Sequence, residues 1–453
     1  MVANEEGLLA RKRKRDGMGV ALAVLNRVAG AKVVDRLNLR GPLEKGIYQA
    51  SRTGFRTVGA ASRAFKPQRR DDNSPVRPAK VAEQGLFDLT PDDEQQMIRE
   101  AVSEFAVEQL RPAAAEADTT CVPPQALLAR ADELGMTTLT VPEELGGAGT
   151  RRSAITNVLV AEALAKGDMG LAVACLAPSA VSNALVLWGD ADQQATYLPA
   201  FVGQHVPAAA LAILEPRPLF DPLAPRTTAR KTSGGYVLNG LKSLVPRAAE
   251  AELFVVAAQL EGVGPSLFLI ESGTNGVLIE SEPAMGLRGA SMGRLVLDDV
   301  NLRASARLGG TNGNDGLSAY TDCVRLSRLG WCALAVGTSQ AVLDYVVPYV
   351  NDRVAFGEPI SHRQGVAFKV ADIGIELDGM RLVTYRAASR AEQGRTFARE
   401  VALARRLCTD KGMAIGSDGV QLLGGHGFVK EHPVERWYRD LRAIGVMEGA
   451  VLV

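Results

Sequence analysis

QLLGGHGF (421–428), PVER (433–436), RDLR (439–442) and EG (448–449) follow one another near the C-terminus of the chain. The adjacent glycines Gly424 and Gly425 either let backbone N–H groups approach phosphate oxygens or end a helix as a C-cap. Glu448 comes directly after an apolar stretch (443–447), which places a carboxylate at the edge of an apolar cavity. A carboxylate in such a place suits a general base, whereas an isolated glutamate near a C-terminus is more commonly an exposed surface group.

The overall composition is that of a globular protein of several domains. The chain has 453 residues, is 47% hydrophobic and carries 51 basic and 51 acidic residues, so no global charge favours nucleic acid as a partner. Its five cysteines show no CxxC pair and no histidine cluster, which indicates buried free thiols in a reducing compartment and no metal site. The apolar run at 20–25 is far shorter than the roughly 20 residues that cross a bilayer. We expect a cytoplasmic protein that is soluble or lies peripherally on the inner face of a membrane.

The first 70 residues form a basic segment, with 16 Lys and Arg against 5 acidic residues. Apolar residues at near-helical spacing alternate with these charges, as in helices that lie in an anionic lipid interface. The interpretation is therefore attachment to an anionic membrane surface or to a partner, with a solvated tail and a nucleic-acid patch as alternatives. A linker rich in Pro, Asp and Arg (66–78) separates this basic arm from the rest of the chain.

Helical and strand patterns succeed each other along the remaining chain. Thr90 as N-cap, Pro91 at the first position and three acidic residues predict a helix start, and further helices are predicted at 123–134, 154–166, 180–188 and 192–201. Short β-like runs follow at 236–238, 253–256, 266–270 and 295–297, which predicts a small sheet or barrel. Three long helical stretches, 317–353, 365–393 and 397–423, then predict an antiparallel bundle.

This order resembles the acyl-CoA dehydrogenase family, with some similarity to its very-long-chain branch in RDLR (439–442). The resemblance runs from about residue 86 to the C-terminus and includes ELGM (133–136), VPEELGG (141–147), YLP (197–199), MGLR (285–288), LDDV (297–300) and DRVAFGEPI (352–360). It implies a mainly α fold with a central β domain. The predicted divisions are a basic arm and linker (1–85), an N-terminal helical domain (86–207), a β-barrel-like middle domain (208–308) and a C-terminal four-helix-type bundle (309–453).

The resemblance also implies a cofactor, a substrate and site residues. The cofactor is FAD, the substrate an acyl-CoA thioester, and the electron acceptor an electron-transfer flavoprotein or a similar protein. Glu448 is the implied base, because the position that some relatives use instead is Ser327, and Arg328 is implied to lie near the CoA part of the substrate. The resemblance also implies that six residues reach across a dimer interface to the ADP half of a neighbour's FAD. They are Arg353, Phe356, Gln364, Gln421, Gly424 and Gly425.

Departures from the family pattern fall in the two stretches that face the flavin ring. The family reads approximately TEPxxGSD where this chain has LEPRPLFD (214–221), and WITNG where it has LVPRA (244–248). The hydroxyl groups near the flavin are therefore replaced, and Pro246 has neither a hydroxyl nor an N–H. Two functions remain open: a working FAD-dependent fatty acyl-CoA dehydrogenase of β-oxidation, or a non-catalytic subunit that pairs with an active paralogue and completes its FAD site.

Overall fold

The first part of the fold is helical. The computed structural model describes residues 90–148, 153–203, 205–310 and 316–451, and the following concerns these residues. The helices are α1 (Asp93–Phe105), α2 (Arg111–Thr120), α3 (Gln125–Glu133), α4 (Ala154–Gly167), α5 (Met169–Trp188) and α6 (Ala191–Phe201). A π-helical turn, Ala106–Leu110, joins α1 to α2. The predicted helical character of this part is confirmed.

The start of α1 differs from the prediction, because the N-cap is Asp92 and not Thr90. The Asp92 carboxylate accepts a hydrogen bond from the Gln95 backbone N–H at 2.8 Å, and the Gln95 side chain accepts one from the Asp92 N–H at 3.2 Å. This reciprocal pair satisfies two backbone donors at once, so the helix begins after Asp92 and Pro91 lies outside it.

Helix α5 also starts earlier than predicted, at Met169 and not at residue 180. Asp168 caps it by accepting from the Leu171 N–H at 3.0 Å. The missed turns are apolar on every side, so they lack the periodicity that marks an amphipathic helix. Among the described residues α5 is the one helix long and apolar enough to cross a bilayer, but 72% of its apolar window is buried within the protein, as in a core helix.

The middle part is one seven-stranded sheet. Its strands are β1 (Ala209–Ala212), β2 (Thr228–Lys231), β3 (Gly235–Val245), β4 (Leu253–Leu260), β5 (Gly264–Glu271), β6 (Val277–Ser281) and β7 (Gly293–Arg303). The strand order is β1-β4-β2-β3-β7-β6, with β5 paired to β4. The four predicted strands are confirmed within longer ones. Strands β1, β2 and β6 were not predicted.

The C-terminal part is a bundle of long helices. It consists of α7 (Gly316–Asp352), a small hairpin of β8 (Val354–Ala355) and β9 (Glu358–Pro359), α8 (Gln364–Glu392), α9 (Ala398–Leu423) and α10 (Val434–Leu441). The three long helices agree with the prediction to within one residue at each end.

Buried ion pairs and hydrogen bonds attach α10 to the other parts of the fold. Arg436 donates from Nε to Asp168 Oδ2 at 2.9 Å, and Asp440 Oδ1 accepts from the Leu287 N–H at 2.6 Å. These contacts link α10 to the start of α5 and to the segment before β7. The turn that follows α10 therefore starts from a fixed position, and it leads directly to Glu448.

Candidate active site

An apolar cavity of about 230 Å³ lies between the helical part, the sheet and the bundle. Its walls come from α4, α5, α7, β1 and the end of β3, together with Met447 and Glu448. Among the described residues that line it, Glu448 is the one charged side chain. The cavity therefore places a single carboxylate against apolar walls, as the sequence predicted.

The Glu448 carboxylate is held through one of its two oxygens. Oε1 accepts a hydrogen bond from Ser327 Oγ at 2.6 Å and another from Trp331 Nε1 at 3.2 Å. Both donors belong to α7, and Glu448 is only 6% exposed. No hydrogen bond to Oε2 is found within the described part of the chain, so this oxygen keeps its lone pairs for another partner.

Two arginines hold the backbone on either side of this carboxylate. Arg328 donates from Nε and Nη2 to the Glu448 carbonyl oxygen at 3.1 and 2.8 Å. Arg405 Nη2 donates to the Met447 carbonyl oxygen at 2.7 Å and also to that of Gly449. Arg405 is 3% exposed, and burial together with the nearby Arg328 charge lowers its pKa to about 10. Three consecutive carbonyl groups are thus bound by guanidinium groups.

Arg328 was expected near the CoA part of the substrate, and its contact with the Glu448 backbone was not predicted. Its guanidinium binds the backbone of the candidate base, and a contact with CoA stays a prediction. Two further residues that hold Glu448 or its backbone, Arg405 and Trp331, were not predicted. A signal existed for Arg405, which lies in α9 beside the buried residues Ala404 and Cys408, because an arginine on a buried helix face needs polar partners.

The candidate cofactor groups lie in a second place, on the surface of the bundle. One groove of about 550 Å³ is lined by five of them: Arg353, Phe356, Gln421, Gly424 and Gly425. Gln364 is not among the lining residues, although it begins α8 directly after the groove residue Arg363. All six candidates are exposed.

Groove residues that sequence reasoning missed are Tyr349, Arg363 and His426. The Arg363 guanidinium lies over the exposed Phe356 ring, 5.7 Å from its centroid. Gly424 caps α9 with its N–H bonded to the Gln421 carbonyl, and an added Cβ at Gly424 or Gly425 would meet no described atom within 4 Å. The glycine pair is therefore a helix C-cap and also leaves open space beside the backbone.

The two departing stretches provide apolar surface. Leu214, Leu244 and Pro246 line the cavity. Phe220 is buried and lies 5.1 Å beneath the Arg217 guanidinium. Neither stretch, 214–221 or 244–248, contains a Ser or Thr.

Two further features of the described residues concern metal ligands and cysteines. No group of three or more His, Cys, Asp or Glu side chains within the described ranges could hold a metal ion. The five cysteines are unbridged, and Cys323, which lines the cavity, has its pKa raised by burial.

Comparison with known proteins agrees with this arrangement. Models of the acyl-CoA dehydrogenase N-terminal, middle and C-terminal domains match residues 92–204, 210–300 and 314–451 in order. The short-chain specific acyl-CoA dehydrogenase of Homo sapiens mitochondria is 33% identical over 365 residues, which cover 78% of this chain and 86% of that relative.

Solved structures show the same similarity. Butyryl-CoA dehydrogenase from Megasphaera elsdenii matches with a TM-score of 0.75 and 29% identity over 81% of this chain and 97% of that one. The FAD complex of PigA matches with a TM-score of 0.74 and 27% identity over 81% and 96%. A helical part, a central sheet and a helical bundle around an apolar cavity define the class of fold. The chain belongs to the acyl-CoA dehydrogenase family.

Proposed function

We propose that this protein dehydrogenates an acyl-CoA thioester between its α and β carbons, with Glu448 as the base that removes the α-proton. The observation that carries the proposal is the one charged side chain among the described residues of the cavity wall. It is a carboxylate with one oxygen held and the other without a hydrogen bond from any described residue. A positioned carboxylate at the wall of an apolar cavity suits the removal of a proton from carbon. Ser327 cannot replace it, because its hydroxyl donates to Glu448.

The backbone around Glu448 supports the same role. The arginines hold the carbonyl groups of residues 447–449, while no described acceptor takes the Glu448 N–H. That N–H is therefore available to the thioester carbonyl oxygen, and such a hydrogen bond stabilises the negative charge that develops there when the α-proton leaves.

FAD is the proposed cofactor, and when bound it supplies the acceptor for the β-hydride. The groove fits the ADP half of such a group: Arg353 and Arg363 offer cations for phosphate, Phe356 an exposed aromatic face, and the glycines at 424 and 425 close backbone approach. In this proposal Gln364 and Gln421 contribute neutral amides. The apolar walls at Leu214, Leu244 and Pro246 suit the face of a ring and offer it no hydroxyl group.

A second function is favoured by that lack of hydroxyl groups. The protein would then be a subunit that completes the FAD site of an active paralogue through its groove, without holding a flavin ring of its own. A visible absorption spectrum of the purified protein separates the two functions. Flavin absorbance that corresponds to about one FAD per chain supports the first function. Bands that appear only when a paralogous subunit co-purifies support the second.

The test of the base is Glu448→Gln, which keeps the shape of the side chain and removes its basicity. We expect folding to persist and the acyl-CoA-dependent loss of flavin absorbance to slow by on the order of 10²-fold or more. The matched control is Glu431→Gln at an exposed position, which should react like the unaltered protein. An equal reaction rate in Glu448→Gln would end the assignment.

A further inference from the structure

We propose that Ser327 and Trp331 are positioning residues that fix the Glu448 carboxylate through Oε1, so that Oε2 takes the substrate's α-proton. This inference rests on the proposed function of Glu448 and adds two residues to it. Neither side chain is itself a base at neutral pH. Their role is to set the orientation of one.

The geometry follows from the spacing of the two donors on α7. Ser327 and Trp331 are four residues apart, so their side chains lie one above the other on the same helix face. Both donate to the same oxygen, at 2.6 and 3.2 Å. Rotation of the carboxylate about its terminal bond would break both hydrogen bonds together. Hydrogen bonds to an ionised acceptor are about twice as strong as neutral ones, so the observed orientation is favoured.

The surroundings distinguish this arrangement from a purely structural one. Oε2 of Glu448 accepts no hydrogen bond from the described residues, and it is not one of the fully enclosed side-chain atoms without a partner, so it keeps accessible surface. Ser327 and Trp331 also line the cavity themselves. The unpartnered oxygen therefore belongs to a carboxylate that faces ligand space, and its two fixed donors lie in the same wall.

The chemical step that the pair would assist is a proton transfer. The C–H bond at the α carbon breaks, its electron pair stays on the thioester, and the proton bonds to Oε2. In D₂O the reverse step returns a deuteron to the same carbon. Exchange of the α-hydrogens therefore reports on the base without any hydride transfer.

The experiment compares Ser327→Ala, Trp331→Phe and Ser327→Thr with the unaltered protein and with Glu448→Gln. Purified full-length protein, supplemented with FAD, is incubated in D₂O with butyryl-, octanoyl- and palmitoyl-CoA, and deuterium uptake is followed by mass spectrometry. We expect roughly tenfold slower exchange at saturating ester in Ser327→Ala and in Trp331→Phe, with half-saturating concentrations changed less than about twofold. Ser327→Thr keeps the hydroxyl and should exchange within about twofold of the unaltered protein.

Each outcome bears on one of the two proposals. If the unaltered protein and Glu448→Gln exchange deuterium at the same rate, the proposed function of Glu448 is wrong. It is also wrong if neither protein shows any exchange. If Glu448→Gln is slow while Ser327→Ala and Trp331→Phe exchange at the unaltered rate, the base stands and the positioning role is wrong. The positioning role is equally wrong if Ser327→Thr is as slow as Ser327→Ala. Should Trp331→Phe fail to fold, the Ser327 variants still decide.

Discussion

At the scale of single residues, the candidate base depends on an uncommon backbone conformation. Glu448 has a φ of 54°, in the left-handed region that non-glycine residues rarely adopt. Gly449 follows with a φ of 98°. The Arg328 and Arg405 hydrogen bonds to the neighbouring carbonyl groups hold this conformation, so the carboxylate owes its position to backbone contacts as well as to Ser327 and Trp331.

We expect Gly449→Ala to reduce activity while the fold persists. An added Cβ would lie 2.6 Å from Pro222 Cδ and 2.8 Å from the Phe220 carbonyl oxygen, so the backbone must shift and move Glu448. A displacement near 1 Å at a reacting group can cost about 10²-fold in rate. The measurement is turnover of acyl-CoA beside the thermal unfolding midpoint.

The control for Gly449→Ala is Gly374→Ala in α8, where an added Cβ meets nothing within 4 Å. It should leave turnover unchanged and stabilise the helix by roughly 0.5–1 kcal/mol. Full activity in Gly449→Ala would contradict the dependence of Glu448 on this backbone.

At the scale of elements, buried charges hold α10 and thereby the turn that carries Glu448. Asp440 and Asp168 are both buried close together, with Arg436 beside them. Burial, followed by the negative charge of Asp168, raises the pKa of Asp440 to about 8. A buried acid of this kind is easier to protonate in the folded chain than in the unfolded one.

This raised pKa predicts a pH dependence of stability. The folded pKa of Asp440 lies above its unfolded value of 3.8. Its contribution to the free energy of unfolding is therefore fully present below pH 3.8 and is lost as the pH rises towards 8. Asp440→Asn keeps an acceptor for the Leu287 N–H but does not titrate. The free energy of unfolding of the variant relative to the unaltered protein should therefore rise between pH 5 and 8, by at most about 1.4 kcal/mol per pH unit.

Denaturant unfolding at several pH values measures this difference. The control is Asp372→Asn, at an exposed position in α8. Its free energy of unfolding should differ from that of the unaltered protein by the same amount at every pH. A constant difference between Asp440→Asn and the unaltered protein across this range would show that Asp440 does not bind an extra proton in the folded state.

At the scale of the whole molecule, the groove on the bundle predicts an assembly. Phe356 is 95% exposed in the single chain, and the groove residues around it are open to solvent. They act as cofactor groups only if another subunit, of the same or a paralogous chain, brings its FAD to them. We expect a dimer or a dimer of dimers by light scattering. A stable monomer with one FAD per chain would contradict this prediction.

The basic arm, residues 1–70, lies outside the described residues, and its attachment to anionic membranes stays a prediction. Each Lys or Arg near an anionic surface contributes about 1 kcal/mol, so the excess charge of the segment favours binding at low salt. Full-length protein should sediment with anionic vesicles at low salt and dissociate at high salt, whereas a chain that begins at Lys80 should not sediment. If the full-length and the shortened chain sediment equally, or if truncation removes a co-purified subunit, the basic arm serves assembly with a partner and not membrane attachment.

Local sequence patterns were sufficient for the order of elements and for one candidate residue. The three long bundle helices and four strands were predicted because amphipathic and alternating patterns reflect neighbours only a few residues apart. Glu448 was identified by its resemblance to a family motif and by its apolar neighbours. The start of α5 could not be predicted, because a helix buried on all sides has no polar face.

Only the tertiary structure decided how Glu448 is held. Ser327 and Trp331 of α7 bind the Glu448 carboxylate, while Arg328 of α7 and Arg405 of α9 bind the backbone carbonyl groups around it. Folding brings these four side chains to a residue more than forty positions further along the chain than the last of them. No local period encodes such contacts, since they arise from the packing of helices whose facing residues are distant in sequence. The same holds for the left-handed backbone at Glu448, whose neighbouring carbonyl groups are bound by the half-buried Arg328 and the buried Arg405.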